Sequence, residues 1–371
     1  MRNRKLGIRI VTLLAALALV AAACGDSSGG GSDLDPDNPV EVKLQLQWFT
    51  QSQFAGYYAA VDQGFYRNAG LDVQILQGGV DIVPPQVLAA GGAEFAISWV
   101  PRGLVPREQG TDIVNIGQVF QRSGTLEVSW ADSGITEPAD WAGKKVGNWG
   151  FGNEFELLAA IEKFNVADVE LIQQPFDMSL LLNREVDAAE AMIYNEYAQV
   201  LEAVNPETGE QYQPEDLNVI DFNEIGTAML QDAIWVSTSW LAEDGNEAVA
   251  EAFLKASFEG WIWCRDNFDA CVEVVLDNAP TLGTSHQAWQ LNEINGLIWP
   301  SPDGIGVMDE ALWDQTAEVA TSQGILENTP DSGAFRTDLA EAAAKSLEDE
   351  GLDVNGNGYT RRTVILNVDG D

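Results

Sequence analysis

The chain is poor in the side chains that most chemistry uses. Its 371 residues hold one histidine and three cysteines, and 19 lysines and arginines stand against 58 aspartates and glutamates. A lone histidine, His286, cannot assemble a His-based metal site, so no metal centre is expected. The formal net charge of −39 repels phosphate backbones, which argues against nucleic acid as a partner. The acids are spread along the whole chain, the pattern of a solvated, salt-tolerant surface rather than of a binding segment. The N-terminal apolar run, residues 10–20, is also shorter than the roughly 18 residues that a membrane span needs.

That run has another reading. Arg2, Arg4, Lys5 and Arg9 precede it and Ala21-Ala22-Ala23-Cys24 follows it. A positive start, an apolar middle and small residues make a secretory signal peptide over residues 1–23. A cysteine directly after the small residues is what lipoprotein processing requires, because its thiol takes diacylglycerol before cleavage. Cys24 is therefore the expected lipidation site, a palmitate-bearing lipoprotein end held at the cell membrane on its extracytoplasmic face. Residues 24–39, rich in Gly, Ser and Asp, read as a flexible tether. The G-x-S-x-G match at Gly25-Asp26-Ser27-Ser28-Gly29 falls inside it, where no strand-to-helix elbow can expose a nucleophilic serine.

Cys264 and Cys271 remain, in an oxidising compartment. On one continuous helix a seven-residue offset rises about 10.5 Å, too far for a bridge. Asp266-Asn267-Phe268-Asp269 reads as a helix stop followed by a new N-cap, which brings the two thiols together as a structural disulfide. A redox or metal pair would call for C-x-x-C spacing or a nearby histidine, and neither is present.

About 330 residues follow the tether, enough for two lobes with their own cores. Val40, Val42, Leu44, Leu46 and Trp48 alternate with polar residues and predict a strand. Phe54, Tyr57, Tyr58, Val61 and Phe65 recur at helical steps up to Gly70. Leu71, Val73 and Ile75 alternate again; Pro84-Pro85 opens a short helix, and residues 94–99 form a further strand. This β-α-β-α-β order calls for an α/β fold with a largely parallel, doubly wound sheet. Residues 40–129 form the first part of lobe 1 in this reading. A second alternating unit, residues 130–231, makes lobe 2; the apolar strand at residues 233–237 leads back, and residues 232–371 complete lobe 1 with a mostly helical region. Two such lobes joined by two crossovers, tethered outside a membrane, have the layout of a bilobal, type II periplasmic-binding-protein-like fold.

In open α/β sheets ligands sit beyond the carboxyl ends of the strands. Those positions here hold Trp48, Phe49 and Gln53, then Trp99, then Trp149, Phe151 and Asn153, then Tyr194 and Glu196, with Tyr57 on the first helix. Flat rings paired with amides and a carboxylate suit a heteroaromatic small molecule. We take these ten as ligand-binding candidates, and Trp235, Trp261, Trp263 and Trp313 as core. The glycines 147, 150 and 152 either free backbone N–H groups at a helix start for a polar ligand group or make a plain tight turn. Asp353-Val354-Asn355-Gly356-Asn357-Gly358 imitates a calcium loop, but Val364 stands where a bidentate Glu is required, so a polar turn is expected. No catalytic residue and no cofactor is assigned.

Residues 46–60, Leu-Gln-Trp-Phe-Thr-Gln-Ser-Gln-Phe-Ala-Gly-Tyr-Tyr-Ala-Ala, resemble the opening of a known family, as do Gly64-Phe65-Tyr66 and Gly70-Leu71-Asp72-Val73. It comprises the substrate-binding proteins of ABC importers for thiamine pyrimidines and riboflavin, together with the yeast thiamine-pyrimidine synthase. Gly91-Gly92-Ala93-Glu94-Phe95-Ala96, Trp141-Ala142-Gly143-Lys144-Lys145-Val146-Gly147 and Val186-Asp187-Ala188-Ala189 extend the likeness over most of residues 40–240. The resemblance implies a vitamin held between the lobes and handed to an ABC transporter permease, without chemistry. Formylaminopyrimidine binders carry Pro-Asn-Thr-Asn-His after the tryptophan, where this chain has Thr50-Gln51-Ser52-Gln53-Phe54. Gln53-Phe54-Ala55-Gly56-Tyr57-Tyr58 is closer to the riboflavin branch, so riboflavin is the leading ligand and formylaminopyrimidine the alternative. An extracytoplasmic enzyme acting on such a ligand is the rival class.

Overall fold

The computed structural model describes residues 34–150 and 152–371. The expected signal peptide, Cys24 and most of the tether lie outside the described residues, as does Phe151. The end of the tether is packed: Leu34 lies against the core, and the Pro36 carbonyl accepts from Arg67 Nε at 2.6 Å.

Among the described residues ten strands build two five-stranded sheets with the same spatial plan. The first runs β2 (Leu71–Leu76), β1 (Val40–Gln45), β3 (Phe95–Ser98), β10 (Ala233–Ser237), β4 (Ile113–Gln118). The second runs β7 (Glu170–Gln173), β6 (Lys145–Asn148), β8 (Ala188–Met192), β5 (Thr125–Trp130), β9 (Leu217–Asp221). In each sheet the first three strands are parallel, and the fourth enters from the other lobe antiparallel to its neighbours. Parallel strands need helical crossovers, and these cover the sheet faces. The chain first crosses between β4 and β5, ahead of the expected start of lobe 2 at residue 130, because β5 already pairs with β8 and β9. It returns between β9 and β10.

Helix Ala55–Asp62 packs against the long helix Asn246–Asp266 at a pair of glycines. A Cβ on Gly260 would strike the Gly56 carbonyl, and one on Gly56 would strike the Trp261 ring, so only glycine allows this approach. The first helix is shorter than the hydrophobic steps predict. Gly64, at φ 75°, turns the chain into a separate turn at Phe65–Asn68 and leaves Val61 exposed. Trp235, Trp261 and Trp313 are core residues, while Trp263 is half-buried on the same helix. Helix Asn246–Asp266 ends at Asn267, where helix Phe268–Asn278 begins, and the change of direction places Cys264 and Cys271 5.0 Å apart (Cα–Cα) in a disulfide. The Asp353 carboxylate accepts the N–H groups of Gly356, Asn357 and Gly358, a polar turn closed on itself.

Candidate functional site

The carboxyl ends of β1 and β3 in one sheet face those of β6, β7 and β8 in the other across a cavity of about 680 Å3. Lobe 1 contributes Gln47, Trp48, Gln51 and Gln53 after β1, and Trp99 after β3. Lobe 2 contributes Trp149 and Asn153 after β6, Phe176 after β7, and Met192, Tyr194 and Glu196 after β8. Trp48 and Phe176 meet across the gap with ring centroids 4.9 Å apart, and Trp149 lies parallel to Phe176 at 6.3 Å. Three rings from both lobes thus form one apolar wall. Gly78 fixes the Trp48 end of it: its N–H donates to the Trp48 carbonyl at 2.9 Å, and a Cβ there would strike the backbone of residues 46–48.

The lobe 1 amides are held by a buried acid. Asp232, just before β10, accepts from Gln47 Nε2 at 2.6 Å and Trp99 Nε1 at 2.9 Å on Oδ1, and from Gln53 Nε2 at 2.9 Å on Oδ2. Gln51 Nε2 donates in turn to Gln53 Oε1 at 2.8 Å. This chain of bonds sets which amide edge each glutamine presents. Burial pushes the Asp232 carboxyl up to about 7, against the lowering pull of its Gln53, Trp99 and Gln47 donors.

Lobe 2 is held by two further acids. Glu190 Oε2 accepts the Trp149 N–H at 3.0 Å, which pins the loop after β6; burial holds its carboxyl well above the usual range. Glu127 lies opposite Glu190 in the β5–β8 register, equally buried and with neither carboxylate oxygen bonded among the described residues. Burial raises its pKa, and the Glu190 charge raises it further. Glu196 accepts the Met192 N–H at 3.0 Å and Asn195 Nδ2 at 2.7 Å, one donor on each oxygen. Its pKa is also raised by burial. Behind it Asn195 Oδ1 bonds His286 Nε2 at 2.9 Å, and His286 Nδ1 bonds Glu202 at 2.7 Å. The only histidine, remote in sequence, therefore backs the cluster from helix Thr284–Ile298 of the C-terminal region.

Of the expected residues, Trp48, Gln53, Trp99, Trp149, Asn153, Tyr194 and Glu196 line the cavity. Two do not. Phe49 turns outward, 48% exposed, and meets Trp48 edge-on at 5.3 Å, in the bend that follows β1. Tyr57 sits on the face of helix Ala55–Asp62 turned toward helix Asn246–Asp266, and its ring packs on Trp261 at 5.7 Å. Two amides of the glycine loop are already taken: the Gly152 N–H donates to Glu154 Oε2 and the Asn153 N–H to the Gly150 carbonyl. Gln47, Gln51, Arg102, Phe155, Phe176 and Asp232 are not among the ten candidates. Phe176 had a signal, because it follows β7 as Trp149 follows β6; Asp232 had only its position before an apolar strand. Among the described residues no three His, Cys, Asp or Glu side chains are grouped to hold a metal ion.

Comparison with known proteins agrees with this architecture. The chain is 24% identical over 274 residues to the formylaminopyrimidine-binding protein of Halalkalibacterium halodurans, covering 73% of this chain and 78% of that one. It is 22% identical over 347 residues to the riboflavin-binding protein RibY of Chloroflexus aurantiacus, covering 88% and 93%. The periplasmic aliphatic sulphonate binding protein SsuA of Escherichia coli superposes with a TM-score of 0.62 at 16% identity, over 79% of this chain and 90% of that one. That likeness establishes the bilobal fold. A family model described as NMT1/THI5 like matches residues 51–270, and the chain belongs to that family.

Proposed function

We propose that the protein is the extracytoplasmic solute-binding lipoprotein of an ABC importer, capturing a heteroaromatic vitamin, riboflavin first, and delivering it to the permease. The observation that carries this reading is the cavity itself. Its volume of about 680 Å3 falls within the range that encloses drug-sized ligands, about 300–1,000 Å3. Its wall pairs the rings of Trp48, Trp149 and Phe176 with the amides of Gln47, Gln51 and Gln53. Rings stack on a heterocycle, and amides with a fixed orientation match its C=O and N–H edge. A three-ring flavin uses more of that volume than one pyrimidine does, which favours riboflavin over the formylaminopyrimidine named for the Halalkalibacterium relative. Capture needs no bond to be made or broken: the lobes close on the solute, and the closed form docks on the permease. Cys24, at the end of the signal, supplies the lipid that keeps the protein near it.

Tryptophan-fluorescence titration against riboflavin, formylaminopyrimidine, thiamine and taurine tests the reading. Quenching by riboflavin alone supports it, and quenching by formylaminopyrimidine alone moves the ligand to the alternative. A new product after incubation with the ligand would replace the binder with an enzyme.

A further inference from the structure

Three charged side chains stand on the cavity wall: Asp81, Glu196 and Arg102. Asp81 is exposed at the lip. Glu196 has each oxygen committed to a protein donor, and Asp232 behind the wall is committed three times. Arg102 differs. It is the third residue of helix Val100–Glu108, half-buried, and among the described residues it has neither a hydrogen bond nor an ion pair. The other eight described arginines each reach an acceptor: Arg67, Arg107, Arg122, Arg184, Arg265, Arg336, Arg361 and Arg362. In a chain of net charge −39, with carboxylates available in every direction, an uncommitted guanidinium facing the cavity is the exception. Leaving it half-buried without an acceptor is unfavourable. Burial pulls its pKa down, and the nearby Asp232 charge draws it up again.

A loop of lobe 2 comes close to its stem. Gly152, at φ 93°, faces the Arg102 stem from lobe 2, where a Cβ would sit 3.5 Å from Arg102 Cγ. Two amides of that loop, those of Gly152 and Asn153, are spent on Glu154 and Gly150 and do not compete with the guanidinium. Gln86 and Gln109 line the same side. The rings of Trp48, Trp149 and Phe176 line the same cavity, so one solute can meet both.

We propose that the solute held in this cleft carries an anionic group, a phosphate monoester, that pairs with Arg102 while its ring lies among Trp48, Trp149 and Phe176. The inference rests on the capture reading above and narrows it: the preferred member of a vitamin class is the one with the acidic substituent. Guanidinium and phosphate match in geometry, with two parallel N–H···O bonds.

The test is a fluorescence titration with two matched pairs of probes, riboflavin with its 5′-phosphate and hydroxymethylpyrimidine with its phosphate ester. The phosphate ester of the pair that binds should bind about tenfold tighter or more, with the advantage shrinking as salt rises. Arg102→Met should bring the ester down to the affinity of its neutral partner, and Arg102→Lys should restore only part of the advantage. Unchanged melting temperatures show that both variants are folded. Equal binding of neutral and phosphorylated probes, or an advantage that survives Arg102→Met, overturns the proposal and leaves the capture reading standing. If none of the four probes binds, the capture reading fails first and this inference falls with it.

Discussion

Replacing Asp232 with asparagine probes the polar centre of the site through its titration. Burial takes this carboxyl from the ordinary aspartate value of 3.8 up to about 7. At about 1.4 kcal/mol per pKa unit, that rise is worth about 4 kcal/mol. Between those two values the native protein binds more protons at Asp232 than the unfolded chain does. Stability therefore falls as pH rises through this window, and the loss is complete above the folded-state pKa. Glu156 is also raised to about 7 by burial, and Glu127 and Glu190 are raised as well. All three give slopes of the same sign, so the wild-type curve alone does not isolate Asp232. The difference between variant and wild type does, because asparagine has no proton to exchange. Urea unfolding from about pH 4 to about pH 8 should show Asp232→Asn gaining up to about 4 kcal/mol relative to wild type. At the acid end the variant has a geometric deficit. Its Oδ1 can still accept from Gln47 and Trp99, but its amide nitrogen meets the Gln53 Nε2 donor. Gln53 can answer by turning its own amide only if it gives up the bond from Gln51, a mismatch worth roughly 1–3 kcal/mol. A difference that stays flat with pH would refute the reasoning, since the three donors would then hold the carboxylate ionised throughout.

Other expectations follow from the same geometry. Trp48→Ala should weaken ligand binding by about 1–3 kcal/mol with little change in unliganded melting. Trp261→Ala, which empties the fully buried seat beside Tyr57, should lower stability by about 3–5 kcal/mol and spare affinity; matching behaviour in the two variants would misplace the site. Cys24→Ser should move the protein out of the membrane fraction or stall its processing, and normal cleavage with unchanged fractionation would rule out the lipid anchor. Cys264 and Cys271 should resist thiol labelling until reduction, and opening their short loop should cost about 2–3 kcal/mol without altering affinity; ready labelling of the native protein would exclude the bridge.

Local pattern made the framework legible. Alternation at residues 40–48 and 71–75 and the apolar run at residues 233–237 mark three strands of the first sheet, because a half-buried or buried strand must carry its apolar residues at a period of two or in a short run. The strand-end rule then led to seven cavity residues, because parallel strands end on the same side and bring their following loops together. Where the chain turned a side chain away, the same rule misled. Phe49 faces out and Tyr57 faces the helix pair, and neither direction is set by spacing within its own segment.

Long sequence gaps separate the contacts that complete the site. Asp232 becomes the anchor of Gln47, Gln53 and Trp99 because β10 returns between β3 and β4 and carries it under the site. His286 backs Asn195 and Glu202 because helix Thr284–Ile298 reaches from the C-terminal region to lobe 2. Arg102 stands out only once every other described arginine is seen to be matched. The class of fold and the kind of residue at each strand end were already written in the chain, because both follow from periodicity along one segment. Which donors were committed, and which one was left facing the cavity, depended on partners from distant segments, and only the packed fold brings those within hydrogen-bonding distance.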